Sequence, residues 1–242
     1  MKSFFSKKSI LGTMAVAAVC MLGTSNAQAQ EFTIQGDLVS SYVWRGIYQG
    51  GAASFQPTLG FSVGNFSLTA WGSTSLSESN KEIDLTAAYK FGEAGPTLSV
   101  ATLWWDGQAD VANGELTNNY FHFKSGDTGH HFEAGLAYTL PIEKFPLSIA
   151  WYTMFAGADR KTTDEGEEKQ AYSSYVELNY PFSVKGVDLN ATCGVVPYKT
   201  PQYNVNGFAV TNLALKATKA INFNDKFSLP IFAQAIWNPR LE

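Results

Sequence analysis

One stretch constrains the fold of this chain more than any other: residues 32–48, FTIQGDLVSSYVWRGIY. Phe32, Ile34, Leu38, Tyr42 and Trp44 fall on one side of an extended chain, and Thr33, Gln35, Asp37, Ser41 and Arg45 fall on the other. Successive side chains of a strand point to opposite faces, so this period-two pattern predicts one long strand. A strand that is apolar and aromatic on one face, polar and charged on the other, suits a wall between lipid and water.

The pattern recurs. Segments 54–63, 66–74, 82–91, 97–105, 130–140, 146–155, 171–180, 186–196, 207–220 and 226–237 each read as a strand. The cleanest is 82–91, where Ile83, Leu85, Ala87, Tyr89 and Phe91 alternate with Glu82, Asp84, Thr86, Ala88 and Lys90. Short turns are expected near 64–65, 92–96, 141–145, 181–185 and 221–225, and longer polar loops at 46–53, 75–81, 106–129, 156–170 and 197–206. Tight turns on one rim and larger loops on the other are the mark of an up-and-down membrane barrel, and a soluble sandwich has no reason to keep such parity. The parity requires the run Tyr120–Lys124 to belong to the long loop and not to a spanning strand. The predicted fold class is therefore all-β: an up-and-down antiparallel transmembrane β-barrel over residues 30–242.

That reading gives eleven spanning strands, whereas single-chain bacterial barrels close with an even number. Asn238-Pro239-Arg240-Leu241-Glu242 reads as a turn. The expectation is about twelve strands, the last one missing from this chain, so that the edge of residues 32–45 is either exposed or taken up by the strand at 226–237.

The first residues define the compartment. Lys2, Lys7 and Lys8 precede a mostly apolar run over 9–23, and Ala27-Gln28-Ala29 is a small-x-small cleavage pattern. Residues 1–29 thus read as a secretory signal peptide, implying Sec-type export and a cell outer-membrane location. Val19 is too bulky for Cys20 to be a lipoprotein site. Losing the leader removes three lysines and no acid, taking the net charge from −4 to −7, which argues against nucleic-acid partners. Cys193 is then the only cysteine, so no intramolecular disulfide forms, and closure of the sheet is an alternative source of stability. Aromatics are 14% of the chain and charged residues 16%. Tyr42, Trp44, Tyr89, Phe91, Trp104, Trp105, Tyr138, Trp151, Tyr180 and Trp237 sit near predicted strand ends, where amphipathic rings would form interfacial girdles.

SSYVWRGIYQG at 40–50, FPLSIAWYTMFAGAD at 145–159 and YSSYVELNYPF at 172–182 resemble the TorF-like porin family of Gram-negative outer membranes. The best motif is Tyr42-Val43-Trp44-Arg45-Gly46. The resemblance implies an outer-membrane barrel of undefined substrate and brings no catalytic residues. Outer-membrane barrels usually finish in a strand with a terminal aromatic that the assembly machinery recognises; Glu242 departs from this.

With the apolar face toward lipid, the inward charges are Asp37, Arg45, Glu82, Asp84, Lys90, Glu133, Glu177, Asp188 and Lys216, six acids against three bases. Together with Tyr175 they are the candidate pore lining of a channel for passive diffusion of small polar solutes, with a slight cation preference. The alternative is that these charges pair across a packed interior. Arg45 stands out: a guanidinium beside Gly46 either binds anions in a constriction or pairs with an inward acid such as Asp84. Trp71, Trp105, Tyr152 and Tyr175 also point inward, either as a sugar-sliding surface or as filler.

Two other functions compete. A non-conducting barrel could act as adhesin or receptor through loops 106–129 and 156–170. A hydrolase could use His122, Ser125 and Asp127, although triad members rarely lie so close in sequence. His130 and His131 are adjacent, so on a strand they face opposite ways and cannot share a metal. The acidic run Asp159–Lys169 lacks the spacing of a calcium loop. No enzyme activity and no cofactor are expected. The expected partners are outer-membrane lipid, small polar solutes and the barrel-assembly machinery, with oligomeric state open.

Overall fold

The alternating segments pair in the order in which they occur along the chain. The computed structural model describes residues 30–106, 108–109, 116–117, 119–124, 127–225 and 227–241. The expected leader at 1–29, Ser125 and Glu242 lie outside the described residues. These residues form strands and no helix: β1 (Gln30–Val39), β2 (Tyr42–Trp44), β3 (Ile47–Gly50), β4 (Ser54–Val63), β5 (Phe66–Ser75), β6 (Lys81–Lys90), β7 (Thr97–Trp105), β8 (Gln108–Ala109), β9 (Leu116–Thr117), β10 (His130–Thr139), β11 (Ser148–Gly157), β12 (Arg160–Thr162), β13 (Glu168–Gln170), β14 (Ser174–Val184), β15 (Val187–Val196), β16 (Ala209–Asn224) and β17 (Phe227–Trp237). Eleven of them make one antiparallel sheet in the order β1-β4-β5-β6-β7-β10-β11-β14-β15-β16-β17.

Every hydrogen-bonded neighbour in that sheet is the next long strand in sequence, so its connections fall alternately on two rims. On one rim they span two, six, eight, two and two residues; on the other fourteen, five, twenty-four, sixteen and twelve. The expected parity therefore holds, except that the five-residue link at 76–80 is shorter than the six- and eight-residue turns at 91–96 and 140–147. The tightest turns use positive-φ residues: Gly64 (φ 56°), and Lys185-Gly186 (φ 50° and 76°), the pair a type I′ hairpin requires. Tyr120–Lys124 is not a strand. The acidic run after β11 is a small hairpin, β12 against β13, with Asp159 buried at its base.

The two faces of the sheet have inverted burial. Among the described residues 37 large hydrophobics are exposed and only 13 hydrophobics are buried. The exposed ones on the long strands share one face, because register puts Phe32 beside Phe61, Ile34 beside Leu59, Leu98 beside Leu136, Leu136 beside Trp151, and Ile149 beside Leu178. Exposed apolar surface on this scale marks a face for contact with protein or membrane. The opposite face carries Gln56, Glu82, Glu133, Asn179 and Asn212, all buried.

The first strand differs from the expected one. It ends at Val39, and Ser40-Ser41 breaks it before a separate hairpin, β2–β3. Phe32, Ile34 and Leu38 lie on the apolar face as expected, Leu38 being 69% exposed. Tyr42 and Trp44 do not: each is 7% exposed and buried on the inner side. They are not girdle residues, because folding the hairpin inward removes their rings from any outer surface. Trp104 is also buried, under Tyr120 and His130, and Trp105 packs inward against Trp44. Tyr89, Phe91, Tyr138, Trp151 and Trp237 remain exposed.

The hairpin requires the sheet to curl. Tyr42 packs on Trp71 of β5, with ring centroids 5.4 Å apart. Four residues on, the Gly46 carbonyl accepts a 3.1 Å hydrogen bond from Asn238, just past β17. In the sheet order these strands are eight spacings apart, about 38 Å if flat. Four residues reach about 14 Å at most, so the sheet wraps round the hairpin.

Candidate functional site

The hairpin turn is Trp44-Arg45-Gly46-Ile47, with Trp44 paired to Ile47 and φ of 50° and 81° at the two central residues. An X-Gly pair between short β-formers is the sequence signature of such a turn. It aims the Arg45 side chain into the centre of the inner face, where only 11% of it is exposed.

There Arg45 makes a two-pronged ion pair with Glu133 of β10: Nη1 donates to Oε2 at 2.6 Å and Nη2 to Oε1 at 2.7 Å. Nη1 also donates to the Tyr203 hydroxyl at 2.7 Å. The guanidinium lies 4.7 Å from the ring centre of Trp44, 4.5 Å from Tyr152 and 4.9 Å from Tyr175. Planar charge, bidentate donors and ring contact suit arginine and not lysine. The acid paired with Arg45 is thus Glu133, not the Asp84 considered from sequence.

A second segment folds in beside the hairpin. Residues 197–208, of which 197–206 are the expected polar loop, close on themselves through Thr200 and Val205 and bury Tyr203. Tyr203 stacks on Trp44 (5.5 Å, 6°) and on Tyr175 (5.7 Å, 18°). Burial raises the Tyr203 phenol above its ordinary value against the lowering pull of Arg45, so it stays neutral. Ser173, beside the base of the loop, hydrogen-bonds Thr200. Trp71, Trp105, Tyr152 and Tyr175 pack round this cluster, which makes them filler at the long-loop end and not an open stacking surface.

The remaining candidates divide by height. Glu82 and Asp84 face the hairpin from β6. Tyr175 is fully buried, accepts from Asn212 at 3.1 Å and donates to Glu177 at 2.9 Å. Asp37 is buried on β1 and accepts from Gln35 at 3.3 Å. The Lys216 ammonium sits 4.2 Å over Phe232, with Asp37 as an electrostatic neighbour. Lys90 and Asp188 stand exposed at the short-turn rim, so they line nothing at the hairpin's level.

The histidines fall into separate settings. His122 meets Asp127 at 3.3 Å on the long loop. His130 faces outward, between Thr102 Oγ1 and the Tyr120 carbonyl, each 2.6 Å away, and so straps the loop to the sheet. His131 faces inward, against Trp105. Among the described residues no group of three or more histidines, cysteines or acids is arranged to hold a metal.

Neither the inner hairpin nor Tyr203 was apparent from alternation. The signals present were Ser40-Ser41, which interrupts the strand, and Arg45-Gly46, which has the form of the Lys185-Gly186 turn. No protein-family model, curated protein or solved structure matches the chain.

Proposed function

We propose that this chain is an outer-membrane β-barrel of the TorF-like kind, working as a narrow porin-like channel for small polar solutes. The observation that carries the reading is the inverted sheet: exposed apolar side chains along one face, and a polar, charged inner face. Ten-residue strands such as β4 are about 33 Å long and, tilted by about 40°, cover about 25 Å, the height of a barrel's apolar band. The six inward acids against three bases give the slight cation preference.

The inner hairpin and residues 197–208 make the long-loop half the constriction. Single-channel steps are expected from refolded full-chain protein in planar bilayers. Replacing residues 40–53 by a short Gly/Ser linker enlarges those steps. A folded, hairpin-less protein that stays silent overturns the channel reading. It would favour the receptor reading, to which the packed long-loop end already lends support.

The lipid-facing assignment has its own test. Leu85 is exposed at the middle of β6 and Thr86 faces inward. In lipid vesicles Leu85→Arg lowers unfolding stability by about 2–4 kcal/mol, as a charge at the bilayer midplane does. Thr86→Arg stays near wild type and shifts selectivity toward anions. Urea unfolding followed by tryptophan fluorescence reads the difference, and equal costs at the two positions contradict the assignment.

A further inference from the structure

Glu82 lacks what Glu133 has. Glu133 is neutralised by Arg45, whereas Glu82 is 2% exposed and neither of its carboxylate oxygens has a hydrogen-bond partner. Tyr42, Trp105 and Asp84 lie close enough to interact with it, but none is aligned as a well-formed hydrogen bond and none carries a positive charge; the only cationic influence is the field of Arg45. Asp84, two residues along on the same face, is a second acid beside it, with one unpartnered oxygen. Neither acid joins a salt bridge among the described residues. The nearby bases are otherwise engaged: Arg45 by Glu133, and Lys81 by Asp106 at 3.6 Å. A buried acid pair without a counter-charge of its own is costly to ionise, so a cation entering beside it would be stabilised.

Glu82 also faces open space. It lines a cavity of about 300 Å³ at the long-loop rim, between the inner hairpin and β5–β7, walled by Tyr42, Trp44 and Trp105, edged by the Lys81–Asp106 pair and otherwise mostly polar. The Trp44 and Trp105 rings meet edge to face, 5.4 Å apart. Aromatic faces attract cations, and a carboxylate with both oxygens unpartnered accepts charge-assisted hydrogen bonds. The volume lies at the low end for ligand pockets and suits a small molecule. A neutral sugar would leave the charge uncompensated. Among the described residues no three His, Cys, Asp or Glu side chains gather there to hold a bare metal ion.

We infer that this rim cavity is a binding site for a small organic cation bearing N–H donors, an alkylammonium or guanidinium compound. The Glu82 carboxylate takes the donors while the rings of Trp44, Trp105 and Tyr42 flank the charge. The site needs the hairpin in place but not an open channel.

The test is titration of the full chain, refolded in detergent, with agmatine, tetramethylammonium and methyl α-glucoside, read by tryptophan fluorescence and calorimetry. Agmatine gives saturable binding with a change in fluorescence. Tetramethylammonium, which has no N–H to donate, binds at least about tenfold more weakly. The glucoside does not bind. Glu82→Gln, nearly the same in shape, weakens agmatine by about tenfold or more. Asp106→Asn, at the edge, weakens it less. No saturable agmatine binding to the wild type overturns the inference. So does a glucoside that binds as well as agmatine, or agmatine affinity unchanged in a folded Glu82→Gln. The wild-type ranking decides even if the variant fails to fold. Protein that binds agmatine but never conducts keeps the site and removes the channel; protein that conducts without binding does the reverse.

Discussion

Arg45→Ala unfastens the inner hairpin and lowers unfolding stability by about 3–5 kcal/mol, the range expected when one partner of a buried ion pair is removed. The loss has a definite source. Glu133, 5% exposed, is left as a buried carboxylate whose two strong donors are gone. Three ring contacts and the bond to Tyr203 go with it. Arg45→Lys recovers little, because a single ammonium cannot bridge both oxygens and lie flat against the rings. Arg45→Met with Glu133→Leu recovers most of the stability, since the pair is then replaced by apolar contact. Urea unfolding in vesicles measures all three, and bilayer recordings on Arg45→Ala show larger steps if the hairpin forms the constriction. An Arg45→Ala protein as stable as wild type removes the clamp from the description.

Gly46→Ala is the second large effect. Gly46 has φ 81°, and a Cβ built there overlaps the carbonyl oxygen of Thr211 in β16, which is backbone and held by the sheet. The hairpin must lift away, and the Gly46 carbonyl loses its bond from Asn238. The expected cost is about 2–5 kcal/mol, the left-handed penalty plus overpacking. Gly166 is the internal control. It has the same φ of 81° but nothing within 4 Å of a built Cβ, so Gly166→Ala carries only the backbone penalty of about 1–2 kcal/mol. If the two variants unfold alike, close approach of the hairpin to β16 is not a feature of the folded protein.

Much of the sheet was legible in the sequence. The segment 54–63 was expected as a strand and is one, Ser54–Val63; the same holds for 97–105 and Thr97–Trp105. Leu136, Ile149 and Leu215 are exposed where alternation puts them, and Glu82 and Glu133 are buried where it puts them. Alternation succeeds there because side-chain direction in a strand is a local property with a period of two. It failed at Tyr42 and Trp44, which continue the parity of Phe32 and Leu38 yet point the other way in space. Nothing local marks that reversal except two serines and an Arg-Gly pair. Among the candidate site residues, alternation puts Arg45 and Glu133 on the inward face but does not pair them, and nothing in it shows that the loop residue Tyr203 folds inward.

The sequence by itself therefore determined the strands, their two faces and the tight Lys185-Gly186 turn, because each depends on residues that are neighbours along the chain. The tertiary structure alone decided that residues 42–50 leave the wall and fill its inner side. That outcome depends on Glu133 and Tyr203, 88 and 158 residues from Arg45, and on a sheet curled enough to bring them to one guanidinium. A period-two pattern carries no information about such distances. It is long-range charge pairing and ring packing that turn an amphipathic strand into a strand followed by a clamp.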